Sequence, residues 1–422
     1  WPVIRARDPG TSAHTTITKK LPEILERAIK DAEYVLEDLV AEQSLDLERC
    51  IGRIRTLLHE LRSNSVLRPI EDDGGNDVRS WNNKLRRIIR MEGNCTYLDG
   101  PILFVEGYVY RRLRGCFALS EDWDDFDVFT NTKRQGFIKS AVAVLELSQT
   151  LAEPFHAGDC VFPWEYPQKL RDAFSDLLND CIPDPTREYE ALLDLTESDL
   201  QASPNLPPPR RSPTIHIEDE EQLWKRLSHN YATREARVDI VLNDGGFELF
   251  RDLALGKIAT QFKNQNGPPK EGQFQGKPGK KESTKRSLLT KIGFLKLFPY
   301  PTSAERDSLQ ELGQRWKKYE REGSFVYEEH SFWCTGLSYW DLPTHAPELF
   351  SRLTTSSLII FKGEMNYRRL TAGRYISPET SFNTAIGPMS THPRVPPVCS
   401  LTMGTGSWTM HESELVQPCY TT

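Results

Sequence analysis

Asn243 and Asp244 stand side by side in "VDIVLNDGGFELFRDL" (238–253), where an apolar β-branched run gives way to an amide, a carboxylate and two glycines. Two hard oxygen donors at a strand end suit Mg2+ or Mn2+ beside a phosphate, and Gly245 and Gly246 let backbone and ligand come close. The same four residues, N-D-G-G, also make a strong turn sequence, and the pattern alone leaves both readings open. A second constellation is "FKGEMNYRRL" (361–370). Lys362 and Arg368 could hold a phosphate, Gly363 could expose backbone N–H groups, and Glu364 or Asn366 could face a metal or sugar hydroxyls. A strand-to-helix loop with incidental charges is the plainer alternative.

Other chemistry is scarce. The chain has no P-loop, no G-x-S-x-G elbow and no G-x-G-x-x-G run. His330 and Cys334 lie four apart, but "EEHSFWCTGLSYW" is too aromatic and irregular for a helical metal pair, so aromatic packing is expected. The acidic "EDWDDFD" (121–127) lacks the Gly and terminal Glu of a calcium loop and reads as a solvated turn. The eight cysteines include no C-x-x-C pair, which argues against a zinc site and a disulfide framework alike.

Elements must carry these residues. Leu21, Leu25, Ile29, Ala32 and Leu36 repeat at helical spacing, as do Ile51, Ile54, Leu57 and Leu61. A further helix fits Phe137, Ala141, Val144, Leu145, Ser148 and Leu151. Thr214 to Ile217, Val238 to Leu242 and Ser356 to Phe361 read as short buried strands, and their alternation with helical stretches predicts an α/β fold with a mainly parallel sheet. One intervening helix is explicit: Thr302 and Glu305 form a capping box, Leu309, Leu312, Trp316 and Tyr319 its apolar stripe, and Gly323 its end. In a parallel sheet, ligands gather beyond the carboxyl ends of strands, so Asn243 and Asp244 are expected to face the same cleft as Glu364 to Arg368.

The organisation expected is a helical N-terminal region (1–202), a Pro-rich linker "SPNLPPPRRSP" (203–213) and an α/β metal-binding core (214–422). Within that core, 261–285 is Gln-, Gly-, Pro- and Lys-rich, a low-complexity insert foreign to a compact α/β unit. A net charge of −7 offers no general attraction for nucleic acid, and no apolar run approaches the length of about 18 residues that a membrane span needs. The expectation is a cytoplasmic or nuclear monomer that binds neither nucleic acid nor membrane.

Four blocks in order, "LFVEGYVYRRL" (103–113), "RVDIVLNDGGFELFRDL" (237–253), "FVYEEHSFWCTGLSYWDLP" (325–343) and "IIFKGEMNYRRLT" (359–371), resemble the DUF89 family. The branch is its subfamily III, called damage-control phosphatase or acidic-residue methyltransferase. The resemblance implies a helical N-terminal region packed on a three-layer α/β/α core. It also implies a phosphatase dependent on Mn2+, Ni2+ or Co2+, acting on small phosphorylated metabolites such as fructose 1-phosphate. A contested S-adenosylmethionine-dependent methylation of protein carboxylates belongs to the same branch, but no Gly-rich cofactor loop supports it here.

Residue by residue, the resemblance places the metal on Asn243 and Asp244, in reverse of the family's Asp-Asn order, and a ligand contact on Glu248. The substrate loop, usually K-G-D-L-N-Y-R-K, corresponds to Lys362 through Arg369, which brings in Glu364, Asn366, Tyr367 and Arg368. Three departures stand out. The family's third metal ligand, an Asp in a segment like "PWFVSD", has no counterpart between Leu255 and 302. The "LWGNATDLS" block is replaced near Cys181 by "CIPDPTREYEAL", and no Arg-Thr-x-Lys motif follows "VCSL" at 398–401. These losses fit altered exon boundaries or a frameshift, and imply either an impaired enzyme or a non-catalytic family member.

Overall fold

The computed structural model describes residues 1–37, 39, 41–129, 140–152, 171–172, 174–175, 221–225, 227, 237–242, 248–256, 303–377, 379–401 and 416–418. They form an α/β fold with a helical N-terminal region, in two compact units. The first unit comprises Trp1–Lys133, Glu329–Thr355 and Lys362–Thr422, the second Arg134–Glu328 and Ser356–Phe361.

In the first unit the helix Leu21–Leu36 buries Leu21, Leu25, Ala28, Ile29 and Ala32, the stripe that its spacing predicts. It packs against Ala41–Arg62, which turns Leu47, Ile51, Ile54, Leu57 and Leu61 inward. Val78–Glu92 buries Trp81, Leu85 and Ile88 and stops at Gly93, whose φ of 83° is a conformation suited to glycine. The central element is the helix Ile102–Ala118, buried along most of its length and in contact with both Leu21–Leu36 and Ala41–Arg62. Trp81 packs on Phe104 at 5.5 Å between ring centroids, and Phe104 stacks on Tyr108 at 5.9 Å.

Two polar devices fix that central helix. At its side, Arg111 donates to Asp73 at 2.6 and 2.8 Å and to Asp77 at 2.7 and 2.9 Å, clamping the acidic turn 70–77. At its start, Ile102 N–H donates to Ile4 O at 2.9 Å, while Ile4 N–H donates to Gly373 O at 2.9 Å. The extended N-terminal segment thus stitches the beginning of this helix to the backbone just after the helix Glu364–Leu370.

In the second unit the helices Ala141–Ala152 and Ser303–Arg321 pack together. Leu309, Leu312, Trp316 and Tyr319 are buried as the stripe predicts, and Gly323 ends the helix with φ 70°. Strand β1 (Val238–Val241) pairs in parallel with β2 (Leu358–Lys362), in register from Val238 opposite Leu358 to Val241 opposite Phe361. The predicted parallel pairing is therefore present, and β2 extends one residue beyond its expected end, through Lys362. In the first unit, β3 (Val398–Leu401) pairs antiparallel with β4 (Val416–Pro418). The strand expected at 214–217, the linker 203–213, Phe137, Thr302 and the stretch 261–285 lie outside the described residues.

Candidate functional site

The site is built outward from β2, whose sequence LIIFK is wholly buried. Branched and aromatic side chains favour the strand, and Gly363 ends it: with φ 83° it turns the chain as a residue with a Cβ would resist, and its N–H donates to Leu401 O at 2.8 Å. The helix Glu364–Leu370 starts at once, with Tyr367 N–H donating back to Gly363 O at 3.1 Å. A strand, one glycine and a short helix therefore hold every residue of the predicted substrate loop.

Each side chain of that loop has a definite place. Lys362 is fully buried. Asn366 is also buried, donating through Nδ2 to Lys362 O at 2.7 Å and accepting at Oδ1 from the Tyr339 hydroxyl at 2.5 Å. Burial pushes the Tyr339 phenol up to about 12, although the nearby Arg369 charge pulls the other way, so at neutral pH it remains a donor. The Tyr367 ring stacks on Phe382 with centroids 6.4 Å apart.

The two arginines of the loop do different work. Arg368 Nη1 donates to Glu106 Oε2 at 2.5 Å, while its Nη2 and Nε donate to Glu364 Oε1 at 2.7 and 3.2 Å. Burial opposes the Arg368 charge, yet the Glu106 and Glu364 carboxylates outweigh it and hold the guanidinium above its ordinary pKa. Burial pushes the Glu106 carboxyl upward against the pull of Arg368. The direct contacts at 2.5 and 2.7 Å make the row one cation between two carboxylates. Arg369, by contrast, donates to the Leu337, Trp333 and Phe332 carbonyls at 2.9, 2.7 and 3.0 Å and lies over the Tyr339 and Phe332 rings. It is the clip that holds the aromatic segment 332–339, where packing was expected. The His330 ring likewise accepts from Phe332 N–H at 3.0 Å instead of pairing with Cys334.

Glu248 stands in the helical residues 248–256 of the second unit, where Arg251 and Asp252 are buried. Asn243 and Asp244 lie outside the described residues. Among the described residues no group of three or more His, Cys, Asp or Glu side chains is placed to hold a metal ion. The described donor set therefore makes no metal centre by itself. Also among the described residues, no helix is long and apolar enough to cross a membrane.

Glu106 was missed by sequence reasoning. Its signal was a lone carboxylate inside the apolar run Leu103-Phe104-Val105 and Tyr108-Val109, which only its distant partner explains.

The model of the damage-control phosphatase ARMT1-like domain matches residues 16–265 and 284–406. The chain belongs to the damage-control phosphatase ARMT1-like family. It is 28% identical over 421 residues to damage-control phosphatase ARMT1 of Danio rerio, covering 94% of this chain and 88% of that protein. Against the Mus musculus protein of that name, identity is 29% over 410 residues, with 94% and 89% covered. For the Homo sapiens protein it is 28% over 417 residues, with the same coverage. The resemblance drawn from four blocks is thus borne out. The ARMT1-like match runs unbroken past Cys181, skips 266–283 inside the low-complexity stretch, and ends at 406.

Proposed function

We propose that this chain is a metal-dependent phosphatase acting on small phosphorylated metabolites of the fructose 1-phosphate kind. The observation that carries the reading is the match over most of the chain to a damage-control phosphatase domain, with the substrate-loop sequence of that resemblance falling on a buried, braced strand-to-helix turn. Asn243 and Asp244 are the residues that would hold Mn2+, Ni2+ or Co2+. Bound there, the ion supplies Lewis acidity toward a phosphoryl oxygen and lowers the pKa of its water.

The chain's own residues bind and orient. Glu364 is the part of the Glu106–Arg368–Glu364 row that reaches solvent, with 26% of its side chain exposed against 9% for each of the other two. Its carboxylate accepts hydrogen bonds from the sugar hydroxyls, and Arg368 holds it in place. Lys362 and Arg368 bring positive charge to the loop, but Arg368 shares its own with two carboxylates.

Phosphate release from fructose 1-phosphate with Mn2+, Ni2+ or Co2+, compared with chelator and with Asp244→Ala, tests the reading. Metal-stimulated release abolished by Asp244→Ala supports it. No release with any of the three ions, or release indifferent to Asp244→Ala, overturns it. Turnover is expected to be slow beside a relative with a complete ligand set, because this chain lacks the family's third Asp and its Arg-Thr-x-Lys motif. Loss of one preorganised electrostatic group commonly costs on the order of 10²–10³ in rate.

A further inference from the structure

We infer that Glu106 is a positioning residue for the Glu364–Arg368 loop: it fixes the Arg368 guanidinium and, through it, the Glu364 carboxylate. The inference rests on the reading that this loop receives the substrate.

Three observations lead there. The Glu364–Arg368 contact by itself is an i,i+4 pair on a seven-residue helix, a weak contact in an element too short to order itself. Glu106, 262 residues away in sequence, supplies the second carboxylate at 2.5 Å, from a helix buried along most of its length. With one end of its planar fork held in the interior, the long Arg368 side chain has a single way to present its other end to Glu364.

The neighbouring residue extends the argument. A Cβ at Gly107 would lie 3.2 Å from the Gly336 Cα, so the glycine allows the 332–339 segment to sit directly on this turn of the helix. That segment carries Tyr339, whose hydroxyl holds Asn366. Glu106 and Gly107 thus anchor both braces of the loop, one by charge and one by close approach. Stability alone gives little reason for a buried cation with two carboxylates, since apolar residues of similar size pack as well or better. Fixing one geometry does give a reason.

The test uses the full chain and three variants: Glu106→Leu, Glu106→Gln and the double variant Glu106→Leu/Arg368→Met. Each is measured for thermal midpoint, for kcat and KM on fructose 1-phosphate with Mn2+, and for amide hydrogen exchange across 364–370 and 102–118. Glu106→Leu should raise KM roughly 10-fold with kcat changed much less, the signature of lost binding geometry. Glu106→Gln, which keeps one acceptor oxygen, should fall between it and the parent. Exchange should quicken in 364–370 and not in 102–118. The double variant removes the buried charges together and should regain the thermal midpoint without regaining KM.

Recovery of KM with the midpoint would overturn the inference by reducing Glu106 to a structural role. Unchanged exchange in 364–370 of a folded Glu106→Leu would overturn it whether or not the chain turns over. A parent chain that hydrolyses nothing, yet shows quickened exchange in the variants, would sink the proposed function and leave the positioning role standing.

Discussion

Replacing Arg111 by Met should destabilise the first unit by about 3 kcal/mol, a magnitude that follows from what the guanidinium holds. It makes four hydrogen bonds of 2.6–2.9 Å to Asp73 and Asp77. The Arg111 and Asp73 side chains are 8% and 2% exposed, so methionine would leave a buried carboxylate without its cation. Breaking a buried pair in this way costs about 3–5 kcal/mol, and Asp77, 25% exposed, can rehydrate, which favours the lower end. Gly75 N–H and the Trp81 indole still donate to the two aspartates, so the turn loosens without losing every contact.

The effect carries a pH signature. The hydrogen bonds from Arg111 hold the Asp73 carboxyl below its ordinary value, against the opposing effect of burial. A carboxyl depressed in the folded state contributes stability that is complete above its unfolded pKa of about 3.9 and is lost as pH falls through the folded value. The gap between parent and Arg111→Met should therefore be full at pH 7 and shrink below about pH 4. Urea titrations at both pH values, with hydrogen exchange of Val78–Glu92 as the local probe, measure it. A gap under about 1 kcal/mol at pH 7, or one equally large in acid, would refute the argument.

Three further outcomes are expected. Gly336→Ala would place a Cβ 2.9 Å from the Trp81 ring and 3.3 Å from the Phe104 Cα, and should lower stability by about 1–3 kcal/mol in a thermal or urea melt. Tyr339→Phe removes the hydroxyl that donates to Asn366 and should cost about 1 kcal/mol or somewhat more, with a rise in KM if the loop binds substrate as proposed. Of the five described cysteines, Cys334 is exposed, whereas Cys50, Cys95, Cys116 and Cys399 are buried. Burial pushes the Cys95 and Cys116 thiols up to about 11 and 12. Mass-mapped labelling at pH 8 should find Cys334 modified in the native chain and the other four only after unfolding.

Periodicity exposed much of this fold because burial on one face leaves its mark within a single element. Leu21, Leu25, Ile29 and Ala32, or Leu309, Leu312 and Trp316, need no knowledge of the rest of the chain to be read as inward faces. The β2 run and the turn at Gly363 were legible for the same local reason, and they sufficed to bring Lys362 through Arg368 onto one loop. Long-range polar pairing leaves no such mark. Nothing within the acidic turn 70–77 announces that Arg111 binds two of its aspartates.

The sharpest case is Arg368 and Arg369. In sequence they are interchangeable neighbours, and a charge argument treats either as a cation for a phosphate. A helix rotates successive residues by about 100°, so adjacent side chains leave on different faces and meet different partners. One meets the carboxylates of Glu106 and Glu364, the other the carbonyls and rings of 332–339. Which arginine serves the loop's surface and which clips its frame is decided by residues drawn from two other segments of the first unit. The chemistry of such a loop becomes readable only once its partners are known, because an arginine's role depends on whether carboxylates or carbonyls already occupy its donors.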